Sequence, residues 1–237
     1  MMHNIATIWR REFSSLFRST IAYVVIAAFL LLAGYIFSIA LFSTQLADMS
    51  LLFGNLAVTF LFVAPLLTMR TLSEERRLGT DEFLLTSPLT VPEIIVGKYL
   101  GVLSVWVVML LLTGVYPLIL FIIGEPEGGL IFTGYLGLFL LGAAFLSVGL
   151  FASSLSENQI IAGVIGFGIL LGLWLITWIG EAIGGGLGLF IQSLSLLGRY
   201  DAFIMGILDT SDLLFYISFV FVFLFFTVRT VDRRRWS

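Results

Sequence analysis

Six long apolar segments dominate this chain of 237 residues. They cover residues 20–42, 51–69, 94–123, 130–154, 159–180 and 213–228. An apolar helix of about 20 residues crosses the ~30 Å hydrocarbon core of a bilayer. Continuous apolar runs favour helices, because the strands of membrane barrels alternate in polarity. The sequence therefore predicts an all-α polytopic membrane protein, with six transmembrane helices in a single domain over residues 1–237.

Charged residues make up 11% of the chain, and the two signs are distributed unequally about the predicted membrane. One side holds every basic residue except Arg199, namely Arg10, Arg11, Arg18, Arg70, Arg76, Arg77, Lys98, Arg229, Arg233, Arg234 and Arg235. Loops rich in lysine and arginine stay in the cytoplasm. We therefore expect both termini in the cytoplasm. Lys98, near the start of the third span, is expected to extend its amine to the interface.

An amphipathic pattern over residues 4–18 precedes the first span. Its apolar face holds Ile5, Ile8, Trp9, Phe13, Leu16 and Phe17. Its polar face holds Arg10, Arg11, Ser14 and Arg18. The pattern predicts a helix lying in the cytoplasmic interface, although Glu12 falls within the apolar arc and needs a partner. A secretory signal peptide is the competing interpretation, since a basic start precedes an apolar run.

A dense charged island occupies residues 72–89, between the second and third spans. Gly79 is suited to end a first short helix in the left-handed conformation, and Thr80 to cap a second. The island is thus predicted to form two short ordered helices. The third span then opens with the capping-box spacing Thr90-x-x-Glu93, and residues 156–159 suggest the same for the fifth.

Two glycine patterns suggest further structure near the fifth span. The uncharged, glycine-rich residues 182–198 are short for a crossing and predict a pair of re-entrant or interfacial helices on the outer face. Within the span, small residues recur at a spacing that permits close helix approach. They are Ala162, Gly166, Gly168 and Gly172. This stripe is compatible with a subunit interface and equally with packing inside one subunit.

The sequence lacks the residues that several kinds of catalysis and binding require. The chain has no cysteine and one histidine, and it contains no G-x-x-x-x-G-K-[ST] phosphate loop, H-E-x-x-H or G-x-S-x-G motif. An intramembrane enzyme is therefore disfavoured, and no cofactor is expected in this chain. The spans also lack the buried charges of a proton relay, which disfavours an ion-coupled secondary transporter. The ordered island instead suggests a docking surface for a partner that supplies energy.

The island also carries a family resemblance. It reads Glu74-Glu75-Arg76-Arg77-x-Gly79-Thr80-x-Glu82-x-Leu84-Leu85-x-Ser87-Pro88, followed by Gly97-Lys98. This pattern resembles the cytoplasmic signature of ABC-2 type transporter permeases, in particular the gliding-motility-associated subgroup. Arg10-Arg11-Glu12-Phe13 and Arg234-Arg235-Trp236 resemble the start and end of that subgroup, whereas Thr20 stands where proline is expected.

The resemblance implies a permease subunit in the cytoplasmic membrane of a prokaryote that works as a dimer on ATP-binding cassette ATPases. ATP and Mg would be bound by that ATPase, and an unknown substrate would be exported. A coupling helix is implied over residues 73–86, with matching positions Glu74, Glu75, Arg76, Gly79, Thr80 and Glu82. The first and fifth spans would line the dimer interface, which gives the small-residue stripe a role.

Other partners and one other function remain open from the sequence. A membrane-anchored subunit with an extracytoplasmic domain would accompany some such permeases, and no feature indicates nucleic acid. The main alternative is a membrane-anchored interaction or signalling subunit, which would recruit a cytoplasmic partner without moving a substrate.

Overall fold

The computed structural model describes residues 2–44, 48–79 and 89–234, and within these ranges the secondary structure is entirely helical. The helices are α1 (Met2–Arg18), α2 (Thr20–Thr44), α3 (Ser50–Arg77), α4 (Val91–Thr113), α5 (Val115–Ile123), α6 (Gly128–Leu155), α7 (Gln159–Ile183), α8 (Gly185–Ser193), α9 (Leu196–Ile204) and α10 (Thr210–Arg234).

Six stretches are long and apolar enough to cross a membrane, which confirms the predicted multi-pass architecture. They are Thr20–Ser43, Ser50–Arg77, Val91–Ile123, Gly128–Leu155, Gln159–Ile183 and Thr210–Arg233. The third is made of two helices, α4 and α5, which meet at Gly114. Pro117 explains the break, because it has no N–H to donate to the carbonyl of Thr113 four residues earlier.

The central helix of the bundle is α6, against which α3, α7, α9 and α10 pack. Its glycines allow this close packing. Gly142 lies directly against the indole of Trp106, and Gly149 lies against Thr68, so neither position has room for a side chain. Trp106 in turn stacks on Phe60, with ring centroids 3.6 Å apart. The core therefore joins α3, α4 and α6 through large aromatic rings seated on small residues.

The second span differs from its prediction. The hydropathy pattern predicts an end at Met69 and a separate short helix in the island, but α3 continues without a break to Arg77. No glycine or proline interrupts residues 66–78, so polar side chains alone do not end the helix. Gly79 does end it, as predicted, with a left-handed φ of 66°. The second predicted island helix, which includes Thr80 and Glu82, lies outside the described residues.

The helix starts show one confirmed cap and one corrected cap. Thr90 and Glu93 form the predicted capping box at α4. At α7 the cap is Asn158 alone, whose side chain accepts hydrogen bonds from the N–H groups of Ile160 and Ile161. The box predicted from Ser156 is therefore wrong. The amide oxygen of Asn158 already satisfies the first free N–H groups, so no reciprocal residue is needed.

Two short helices, α8 and α9, occupy the glycine-rich segment between the fifth and sixth spans. Gly184 and Gly185 have φ of 61° and 62°, a conformation that favours glycine at the turn into α8. The hydroxyl of Tyr200 in α9 donates to the carbonyl of Phe53 at 3.1 Å, so α9 is fastened to α3. That these helices are re-entrant stays a prediction.

Candidate functional site

Charged side chains from several parts of the fold meet at one end of the bundle, which we name the basic end. It comprises α1, residues 70–79, the first three turns of α4, the turn between α6 and α7, and the last turns of α10. At the opposite end Arg199 is paired with Asp212, and its guanidinium lies 4.3 Å from the ring centroid of Phe215. The unequal charge distribution seen in the sequence thus corresponds to two ends of one folded bundle.

Lys98 forms the centre of the basic end. Its amine lies 2.9 Å from a carboxylate oxygen of Glu75 and 3.3 Å from one of Glu12, and it donates to the carbonyl of Thr71 at 2.9 Å. The side chain is 2% exposed, whereas the sequence predicts that it extends to the interface. That prediction is wrong because α1 and α3 enclose the amine and supply two carboxylates. A buried ammonium is tolerated when it is paired in this way.

The same contact gives Glu12 the partner that its place in the apolar arc requires. Glu12 is 14% exposed and reaches Lys98 from α1, while Glu75 is 17% exposed and reaches it from α3. Arg11 lies 3.6 Å from Glu75 on the solvent side. Two acidic and two basic side chains therefore join three helices, and their formal charges cancel.

The approach of α1 to α4 depends on two glycines. A Cβ atom at Gly97 would lie 2.7 Å from the Cβ of Ile8, and one at Gly101 would lie 2.7 Å from the Cβ of Glu12. Both distances are shorter than van der Waals contact, so only glycine allows this packing. The spacing Gly97-x-x-x-Gly101 is a small-residue motif, and it could have been recognised from the sequence as a packing site.

Two further hydrogen bonds hold α1 along α4. The amide of Asn4 donates to Glu93 at 3.3 Å, and the indole N–H of Trp9 donates to the hydroxyl of Ser104 at 2.8 Å. Glu93 and Ser104 are about 16 Å apart along the helix axis. The N-terminal helix is therefore attached to α4 over about three turns, on both sides of the Lys98 contact.

Three of the predicted coupling residues form contacts within the chain. Glu74 pairs with Arg70 at 2.8 Å, one turn earlier in α3. Arg76 pairs with Glu157 at 2.7 Å in the turn between α6 and α7. Glu75 faces Lys98. A Cβ atom added at Gly79 would have no neighbouring atom within 4 Å, so the end of α3 is uncovered among the described residues.

Ser153 is a further residue of this end that sequence reasoning missed. Its hydroxyl accepts hydrogen bonds from the N–H groups of Leu72 and Ser73 and donates to the carbonyl of Met69 at 3.1 Å. It thereby fastens the last turns of α3 to α6. Serines in apolar helices are common, so the sequence carries no signal for this contact.

The small-residue stripe of α7 divides into two halves. Ala162 and Gly166 are buried inside the subunit, and a Cβ at Gly166 would lie 3.3 Å from that of Ala152 on α6. Gly168 and Gly172 are not buried, and a Cβ at either position would have nothing within 4 Å. The first half therefore packs within the subunit, and the second half leaves a shallow open face.

The chain was compared with models of known protein families. The model of the ABC-2 family transporter protein matches residues 45–183, which is more than half of the chain. The matched region runs from before α3 to the end of α7 and includes the charged residues 70–79. No curated protein matches the chain. Members of this family are membrane components that are not themselves catalytic, and the family implies an ATPase partner. The chain belongs to the ABC-2 family of transporter proteins.

Proposed function

We propose that this chain is the permease subunit through which a separate ATP-binding cassette ATPase drives export of a substrate across the cytoplasmic membrane of a prokaryote. The observation that carries the proposal is the continuity of α3. One helix runs from the apolar core of the bundle to the charged island, and its last turns are ion-paired to α1, α4 and the turn after α6. The motif over residues 74–88 supports the gliding-motility-associated subgroup.

The proposed docking surface is the segment 73–86, with Glu74, Gly79, Thr80 and Glu82 toward the ATPase. ATP and Mg are held by that partner. Glu75 and Arg76 have a different role in this proposal, because their side chains face neighbouring helices of the same chain. A displacement of the island by the ATPase would pass through them to α1, α4 and the start of α7. The energy is supplied as differential binding between two conformations.

The proposed topology places the basic end and both termini in the cytoplasm, in line with the positive-inside rule. It makes α1 an interfacial helix, which its amphipathic sequence and its place at the basic end support. On the outer side, α8 and α9 are proposed to be re-entrant. They would also be the contact for a membrane-anchored subunit with an extracytoplasmic domain, where one is present.

The proposed assembly is a dimer of this chain, or of this chain and a related permease, that meets through α2 and α7. On α7 the uncovered glycines Gly168 and Gly172 offer close backbone approach. On α2 the large side chains Leu31 and Tyr35 are 72% and 63% exposed. Since lipid also covers such surfaces, the uncovered glycines rather than the apolar side chains support an interface at α7.

The experiment that tests the proposal is purification of the tagged chain from its native host in mild detergent, followed by identification of the proteins that co-elute. We expect an ATP-binding cassette ATPase at about one copy per permease, and ATP hydrolysis by the complex in proteoliposomes. A recruiting or signalling subunit would co-purify with a partner, but the complex would not hydrolyse ATP in proteoliposomes. A dimer that is intact but lacks the ATPase would contradict the proposal.

A further inference from the structure

A groove of about 560 Å³ lies at the basic end between α6, α7 and α10, away from the Lys98 contacts. It is lined by Phe151, Ile169, Phe223, Phe226, Arg229, Thr230 and Arg233. The volume falls within the range of small-molecule sites in proteins. None of these residues belongs to the proposed coupling segment, so the groove is a separate feature of the fold.

The lining is ordered along the axis of α10. Phe223, Phe226, Thr230 and Arg233 follow at intervals of three and four residues and thus share one face of α10. From Phe223 to Arg233 the helix rises about 15 Å, which is half of the ~30 Å hydrocarbon core. The ring of Phe151 packs against Phe223 and Phe226, with centroids 5.8 and 6.1 Å apart. The groove therefore has an apolar wall of one leaflet's depth beneath a basic rim.

The charge at the rim is not neutralised within the described part of the chain. Arg229 and Arg233 are exposed, and among the described residues no carboxylate lies within ion-pair distance of either. By contrast, Arg70, Arg76 and Arg199 each have a carboxylate partner. The guanidinium of Arg229 lies 5.1 Å from the ring centroid of Phe225, which holds it beside the groove.

We propose that this groove binds one anionic phospholipid from the leaflet at the basic end. The lipid phosphate would lie between Arg229 and Arg233, which are one helical turn apart, and an acyl chain would lie along Phe223, Phe226 and Ile169. An amphiphilic anion matches both the basic rim and the apolar wall, whereas a free anion would leave the aromatic wall without an apolar partner. Basic pockets between transmembrane helices on the cytoplasmic side are known to take acidic headgroups. The inference does not depend on the ATPase partner.

The test is native mass spectrometry of the full chain in detergent, titrated with phosphatidylglycerol or with phosphatidylcholine of the same acyl chains. We expect one retained phosphatidylglycerol per chain and little phosphatidylcholine. The Arg229→Gln/Arg233→Gln variant should bind phosphatidylglycerol about 30-fold more weakly, at about 1 kcal/mol for each arginine. The matched control, Arg10→Gln/Arg18→Gln, removes the same charge from the same end and should bind as the wild type does.

A second variant tests the apolar wall. Ile169→Trp fills the groove without changing charge and should also lose the lipid, while its circular dichroism remains helical. Three results would overturn the proposal. The first is equal lipid retention by the two double-arginine variants. The second is competition by glycerol 3-phosphate, which has no acyl chain, that equals competition by phosphatidylglycerol. The third is loss of a dimer rather than of lipid in Ile169→Trp, which would assign the groove to a second copy of the chain.

Discussion

Lys98→Met removes the ammonium at the centre of the basic end while keeping a side chain of similar length. Glu12 then loses its cation, and the Arg11 guanidinium remains 3.6 Å from Glu75. Removing one partner of a buried ion pair costs about 3–5 kcal/mol. The two carboxylates are 14% and 17% exposed and retain some water, so we expect a smaller loss of about 2–3 kcal/mol.

The assay is thermal unfolding of the detergent-solubilised chain, followed by circular dichroism. For a chain of this size, 1 kcal/mol corresponds to about 2–4 °C, so the midpoint should fall by about 4–12 °C. Adding Glu12→Gln and Glu75→Gln removes the two carboxylate charges that Lys98 had neutralised, and the triple variant should recover most of the loss. A Lys98→Met variant as stable as the wild type, or a triple variant no better than the single one, would refute the reasoning.

Three other substitutions test separate contacts. Gly97→Val should lower the unfolding midpoint and release α1 from α4, because even a Cβ at this position would lie 2.7 Å from Ile8. The control is Gly54→Ala, where a Cβ has nothing within 4 Å, and its unfolding midpoint should not fall. Limited proteolysis of α1 measures the difference, and equal protection in both variants would contradict the packing. Asn158→Ala removes the α7 cap and should lower the free energy of unfolding by about 1 kcal/mol, measured as a lower unfolding midpoint. An unchanged midpoint would show that the cap does not stabilise the protein. Because the chain has no cysteine, Gly172→Cys should form a dimer disulfide in oxidised membranes whereas buried Gly166→Cys should not, and the reverse pattern would place the dimer contact elsewhere.

The spans and the first helix cap are predictable because their signals are local. Hydropathy over about 20 residues identifies a membrane helix, and the Thr90–Glu93 box is complete within four residues. The sequence prediction ends α3 too early, because the charged residues after Met69 end the apolar segment but not the helix. A helix can leave the bilayer and continue in water, and only a residue such as Gly79 shows where it stops.

The contacts of the basic end could not be predicted, because they join residues far apart in sequence. Lys98 and Glu12 are both visible as unusual, the first in an apolar span and the second in an apolar arc. Their pairing depends on α1 lying against Gly97 and Gly101, which is a tertiary fact. By contrast, helix geometry alone separates the two halves of the α7 stripe, because Gly166 and Gly168 lie about 200° apart around the helix. In the structure Gly166 faces α6 and Gly172 faces outward.

The central claim is that the ATPase binds at the end of α3. The direct measurement is photo-cross-linking in native membranes from a benzophenone attached to a single cysteine at Leu78, which is 67% exposed at that end. The matched control is Leu208, 49% exposed at the opposite end. The account predicts an adduct with an ATP-binding cassette ATPase from Leu78→Cys and none from Leu208→Cys. An ATPase that co-purifies with both variants but is cross-linked by neither, or equally by both, would contradict it.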